Sequence, residues 1–278
     1  MKRTALRRFR LRWFPPAAVG KSAIPTNPGQ FDLFLLAGQS NMAGFGCVRE
    51  ADRWCRSDFE PRSGIFVLGG QGTLKSARPR GRVCWRPAAH PLHLNQNSAG
   101  FGLGLPFAEE LRLAYPQQSV GLVPCAWGGV PIACLQSGSP LFENMVARAC
   151  VAARRGRLRA VLWHQGESDA ESNASAAEHA ERLKRLMADF RGAINCPQLP
   201  FLIGDLAEFA ERRKQEKNPD AAARWAQVRA GLRKVAENDP FSAFVESRGL
   251  TGVDGVHFGR DSLIEFGRRY ARVFHDLR

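Results

Sequence analysis

Residues 31–44 read FDLFLLAGQSNMAG, an apolar run that passes through Gly38 and Gln39 into Ser40, Asn41 and small residues. A short apolar run stopped by glycine predicts a strand buried on both faces of a parallel sheet. Similar runs recur at 119–125, 159–163, 200–206 and 242–246. Between them, helical periodicity is predicted over 104–115, 141–155, 175–192 and 219–237, with a last helix over 260–277. Strands alternating with helices of this length predict an α/β fold, with a central parallel sheet covered by helices on both faces. The stretch 46–100 breaks the rhythm. It is rich in Arg, Gly and Pro, with one further strand predicted at 64–68, and it reads as a long insertion after the first strand. Long loops at the carboxyl ends of strands usually shape substrate sites.

The chain has 278 residues, 44% of them apolar, enough for one large domain. Half of its net charge of +14 lies in residues 1–30, which hold Lys2, Arg3, Arg7, Arg8, Arg10, Arg12 and Lys21 and no acid. The expected organisation is therefore a basic, poorly ordered extension over 1–30 and one α/β domain over 31–278. A basic tail suits a nucleic-acid or anionic partner, but no zinc-finger or RRM-type motif accompanies it, so nucleic acid is not an expected partner. No run approaches the ~18–20 apolar residues of a membrane helix, and no apolar signal core follows the basic start. The seven cysteines (47, 55, 84, 125, 134, 150, 196) form no CxxC pair. They are expected to be mostly buried, unpaired residues of a reducing, cytoplasmic compartment.

Ser40 sits where a central strand ends and a helix begins. Its hydroxyl is expected to face the crevice, and its own N–H to face a developing oxyanion. The plain alternative is a helix cap, a role that serine favours. A serine nucleophile needs a base, and Asp254 and His257 stand three residues apart between the last strand and the last helix. Asp254 is expected to orient His257, which takes the Ser40 proton.

Two more segments end strands. Gly128 and Gly129 expose backbone N–H groups after the second main strand. Gln165, after the third, carries an amide suited to the same oxyanion. Gln39 and Asn41, beside Ser40, and Glu167 are expected to contact substrate. Ser168 and Asp169 are suited to capping the next helix. His90 and His93 are read as structural or pocket-lining, and His164 as a pocket residue. None of these three is given a catalytic role.

At this point the chain resembles a known family. GQSNMAG (38–44), NSAGFGLGLPFA (97–108), GLVPCAWGG (121–129), LWHQGESDA (162–170) and DGVHF (254–258) are similar to the blocks of sialate O-acetylesterase-like members of the SGNH hydrolases. This is carbohydrate esterase family six, which includes acetylxylan esterases. The resemblance implies a flavodoxin-like three-layer α/β/α fold and cofactor- and metal-independent removal of acetyl groups from a carbohydrate. It implies Ser40, Asp254 and His257 as the triad, and an oxyanion hole from Ser40 N–H, Gly129 N–H and Gln165, with Gly128 as the alternative to Gly129. Trp127, where a small residue is commoner, and the stretch 101–104 depart from the pattern and bear on pocket width. A broader short-chain carboxylesterase and a silent carbohydrate binder on the same fold stay open, as does the oligomeric state.

Overall fold

The computed structural model describes residues 24–45, 56–77, 83–94 and 99–277. Its strands are β1 (Phe31–Gly38), β2 (Arg62–Leu68), β3 (Trp85–Ala88), β4 (Ser119–Pro124), β5 (Arg157–His164), β6 (Phe201–Gly204) and β7 (Ser242–Val245). Its helices are α1 (Ser40–Ala43), α2 (Gly104–Ala114), α3 (Pro140–Ala153), α4 (Asn173–Ala193), α5 (Glu208–Lys217), α6 (Pro219–Glu237) and α7 (Arg260–Asp276). The strands form one sheet in the order β3-β2-β4-β1-β5-β6-β7. Every pairing is parallel except that of β2 with β3.

Without the β2–β3 edge, the order β4-β1-β5-β6-β7 is the flavodoxin-like doubly wound order. In such sheets the ligand crevice opens at the carboxyl ends of the two strands where the winding reverses, here β1 and β5. All eight residues of β1 are buried, as a central strand covered on both faces requires. On one face α2 and α7 pack together, and Phe34 meets Phe107 at 4.8 Å and Phe274 at 5.0 Å, edge to face. The other face is covered by α3, α4 and α6, the arrangement that right-handed crossovers dictate. Asp32, buried in β1, is paired with Arg157 of β5 at 3.0 Å.

The insertion is more than a loop. It supplies β2 and the antiparallel strand β3, so the sheet is mostly rather than wholly parallel. β3 escapes sequence reading because Arg86 and Pro87 break its pattern, and an edge strand tolerates proline. The buried Arg148 of α3 ties the insertion down by donating to the carbonyls of Leu68 (2.7 Å) and Gly69 (2.8 Å). Asp58 does the same through paired contacts to Arg260 at 3.0 and 2.7 Å. The polar helix α5 was also unexpected from the sequence. Its single buried residue is Ala210, so it has no apolar face to betray it.

Of the basic extension, residues 1–23 lie outside the described residues. Asn27 accepts from Gly29 N–H and caps a short turn, Pro28–Gln30, that leads into β1. The expectation of mostly buried cysteines is corrected among the described residues. Only Cys125 is buried, whereas Cys84, Cys134 and Cys150 are exposed and Cys196 is intermediate; Cys47 and Cys55 lie outside them. Among the described residues no helix is long and apolar enough to cross a membrane.

Candidate active site

Ser40 owes its position to Gly38. There φ is +130°, and a Cβ would come within 1.9 Å of the His164 carbonyl oxygen, so β1 and β5 can lie this close only with glycine. Gln39 N–H then donates to the same carbonyl at 2.9 Å. The chain makes one helical turn, α1, closed by Gly44 in the left-handed region. Ser40 is the first residue of that turn. Gln39, not Ser40, holds the cap position, so the hydroxyl is not used as a cap.

His257 Nε2 lies 3.0 Å from Ser40 Oγ, and His257 Nδ1 lies 2.9 Å from Asp254 Oδ2. Asp254 shapes its own loop. Its Oδ1 accepts from Val256 N–H at 2.8 Å and His257 N–H at 2.7 Å, which turns Oδ2 toward the ring. A carboxylate only accepts, so Nδ1 carries the proton and Nε2 offers its lone pair to the serine. Partial burial pushes the Asp254 carboxyl up. Donation from the His257 ring and from the two backbone N–H groups outweighs this, and the net displacement is downward. A hydroxyl facing an imidazole backed by a carboxylate is the arrangement in which serine is activated toward an acyl carbon.

The loop after β4 lies beside β1. Trp127 N–H donates to the Gly38 carbonyl at 2.9 Å, and Gln71 of the insertion braces it by donating to the Ala126 carbonyl at 2.8 Å. Gly129 is exposed, with φ +70° and open space where a Cβ would stand. Gly128 is covered instead: its Cβ would meet the Phe45 ring at 2.3 Å. Of the two glycines, Gly129 is the one that leaves its backbone approachable.

The remaining sequence-predicted residues are placed differently. Gln39, Asn41 and Glu167 are only 2%, 1% and 5% exposed, and protein groups engage all three. Asn41 donates to Glu167 Oε1 (2.7 Å) and to the Val256 carbonyl (3.2 Å), and accepts from Phe258 N–H (3.0 Å). It thus grips the chain on both sides of His257. Gln39 Oε1 accepts from Gln165 Nε2 at 3.3 Å and from Gly166 N–H at 3.4 Å. Gln39, Asn41 and Glu167 Oε1 thus hold loops together from within.

Gln165 is likewise engaged by protein groups. Its Nε2 has three buried acceptors, Asp169 Oδ2 (2.5 Å), the Val130 carbonyl (3.1 Å) and Gln39 Oε1 (3.3 Å). With two amide protons, this nitrogen is fully engaged by protein acceptors. On the other side, His179 Nε2 sits 3.0 Å from Gln165 Oε1. Burial pushes the His179 ring down to about 4, so it is neutral near pH 7 and donates through Nε2. Asp169 does not cap the next helix. Ser172 does, accepting from Ser175 N–H, while Asp169 Oδ2 also accepts from Ile132 N–H at 2.9 Å. His90 and His93 are buried, and desolvation pushes both down to about 3. His164 is wholly buried, with Nε2 on the Asp205 carbonyl at 3.1 Å. Among the described residues no cluster of three or more His, Cys, Asp or Glu is arranged to ligate a metal ion.

Residues 30–276 match the family model "Carbohydrate esterase, sialic acid-specific acetylesterase". The chain belongs to this family. It is 34% identical over 196 residues to a probable carbohydrate esterase of Arabidopsis thaliana, covering 66% of this chain and 70% of the relative. The solved structure of that plant protein superposes with a TM-score of 0.72 at 26% identity, over 90% of this chain and 99% of the other. A carbohydrate acetylesterase of Xanthomonas citri shares the fold at 21% identity, with a TM-score of 0.65 over 88% of this chain and 57% of its own. A GDSL-like protein of Parabacteroides merdae does so at 12% identity and a TM-score of 0.51, over 90% and 99% of the two chains.

As a member of this acetylesterase family the protein is an ester hydrolase on an SGNH/GDSL-like α/β scaffold. Trp127 and Phe101 lie in different surroundings. Trp127 is part-exposed beside Gly128. Phe101 is buried, with its ring 4.0 Å from that of His90 and 5.1 Å from the Arg260 guanidinium.

Proposed function

We propose that the protein is a serine esterase that hydrolyses O-acetyl groups from carbohydrates through an acetyl-enzyme, within carbohydrate esterase family six. The observation that carries this reading is the chain Asp254 Oδ2–His257–Ser40 Oγ, with spacings of 2.9 and 3.0 Å. Ser40 attacks the ester carbonyl as its proton passes to His257 Nε2. The resulting oxyanion faces Ser40 N–H and Gly129 N–H, which donate to no acceptor among the described residues. His257 returns the proton to the departing sugar alkoxide, then activates a water that releases acetate. Each oxyanion donor is worth roughly 2.7–4 kcal/mol of barrier.

The test is 4-nitrophenyl acetate hydrolysis. Ser40→Ala should lose at least about 10³-fold in kcat while its melting temperature is kept. Full turnover by a folded Ser40→Ala protein overturns the mechanism. Comparing acetyl with longer acyl esters separates an acetylesterase from a broad carboxylesterase. Acetate release from acetylated xylan, acetylated monosaccharides and O-acetyl sialic acid identifies the sugar.

A further inference from the structure

We propose that Asp169 is a positioning residue that sets the oxyanion hole from beneath, through Gln165 and Ile132; this rests on the serine-esterase reading above. The two donors of that hole, Ser40 N–H and Gly129 N–H, stand on separate loops after β1 and β4. Their spacing must hold to within ~0.5 Å for the transition state to gain from both. Asp169 is 1% exposed and touches neither donor.

Its Oδ2 nevertheless accepts from Gln165 Nε2 at 2.5 Å and from Ile132 N–H at 2.9 Å. The same Gln165 nitrogen reaches Oε1 of Gln39, the residue before Ser40, and the carbonyl of Val130, the residue after Gly129. One buried carboxylate oxygen therefore ties the loop after β4 twice, at Val130 through Gln165 and at Ile132 directly. Through the same amide it also ties that loop to the residue preceding the nucleophile.

The carboxylate is needed because the nearest of the three acceptors fixes the amide. With Asp169 in place, a flipped Gln165 would set its oxygen against both the carboxylate and the Val130 carbonyl. Without Asp169, one of those objections disappears and the amide is free to turn. The Val130 and Gln39 contacts then loosen together. Desolvation raises the Asp169 carboxyl, so a neutral oxygen acceptor in its place fits the same surroundings.

The experiment compares Asp169→Ala, Asp169→Asn and Gln165→Met with wild type on 4-nitrophenyl acetate, with kcat, KM and melting temperature measured for each. Asp169→Ala should lose about 10²-fold in kcat, the scale of a small misplacement at a reacting centre, with KM within about threefold. Asparagine keeps an oxygen at the same point, so Asp169→Asn should stay within about threefold of wild-type kcat. The Asp169→Ala/Gln165→Met pair should be no slower than Gln165→Met alone, as groups acting in one network are not additive.

The proposal is overturned by an Asp169→Ala protein with wild-type kcat, by a loss confined to KM, or by Asp169→Asn as slow as Asp169→Ala. It is also overturned by multiplicative losses in the double variant. If Asp169→Ala does not fold, Asp169→Ser, whose hydroxyl is too short to reach both donors, is judged by the same outcomes. A wild-type protein inactive on the ester sinks the serine-esterase reading instead, so the two failures are distinct.

Discussion

Asn41→Asp is nearly isosteric, yet it should be among the most damaging single changes near the site. The asparagine amide donates to Glu167 Oε1 at 2.7 Å. Aspartate keeps the oxygen that accepts from Phe258 N–H but sets a second carboxylate against Glu167. Two unit charges at that separation repel by about 6 kcal/mol at an effective dielectric of about 20. Holding a proton on an ordinary carboxyl at pH 7 costs about 4 kcal/mol, three units at about 1.36 each. The smaller cost wins, so the folded protein keeps one proton that the unfolded chain releases. Stability should therefore fall by about 1.4 kcal/mol for each unit rise in pH, because the native state binds the extra proton. The expected loss is about 1.4 kcal/mol at pH 5 and about 4 kcal/mol at pH 7. Asn41→Ala instead leaves Phe258 N–H, the Val256 carbonyl and Glu167 short of partners at every pH, at about 1–3 kcal/mol for each neutral group. Urea unfolding of both variants between pH 5 and 7, each referenced to wild type at the same pH, separates the two cases. A flat pH dependence for Asn41→Asp refutes the reasoning, because it means the two carboxyl groups do not hold a proton between them.

Two further outcomes follow from the same geometry. Gly38→Ala should fail to fold or lose nearly all activity, since its Cβ would stand 1.9 Å from the His164 oxygen at φ +130°. Gly129→Ala has room and should cost only the left-handed backbone strain of about 1–2 kcal/mol, so equal melting temperatures for the two variants would contradict the structure. His90 and His93 are neutral in the fold with values near 3 and near 6.5 when unfolded. Their contribution is complete above pH 6.5 and is lost as the pH falls toward 3. Each should withdraw about 2 kcal/mol between pH 6.5 and 5. Urea unfolding of His93→Gln, whose slope over that interval should be shallower than wild type, checks this; an unchanged slope counts against it.

The strands bearing chemistry were legible because buried parallel strands leave uninterrupted apolar runs, and the functional residues follow directly at their ends. Ser40 after 31–37 and Gln165 after 159–163 both stand out this way, and Asp254 and His257 share one short loop after the last strand. What could not be read was the direction of the polar side chains beside them. A polar group after a buried strand must find a partner, but sequence does not say whether that partner is protein or ligand. Asn41, Gln39 and Glu167 looked like substrate contacts on residue type alone. Their partners are distant in the chain, and only the packing of β1 against β5, with the 254–258 loop above them, turns them inward. Asp169 illustrates the same limit. A cap four residues before a helix and a carboxylate bracing Gln165 have identical sequence signatures.

These inward-turned groups explain how a site assembled from four separate loops holds sub-ångström spacing. Regular strand pairing ends near Gly38, Pro124, His164 and Val245, and past the few backbone bonds that follow, such as Gln39 N–H and Trp127 N–H to the His164 and Gly38 carbonyls, the loops depend on side chains for their position. Buried polar groups are costly unless paired, and this makes them exacting: Asn41 pairs with Phe258 N–H only if His257 lies beside Ser40. Gln165 meets Val130 and Gln39 only if the loops after β4 and β1 stand at one spacing. Each wrong arrangement leaves several such groups unpaired at once. The penalty for loosening the site is then several kcal/mol, a large share of the ~5–15 kcal/mol that holds a domain together. Activity and stability should accordingly fail together when these groups are altered. By contrast, Ser40→Ala removes turnover while leaving every one of these contacts in place.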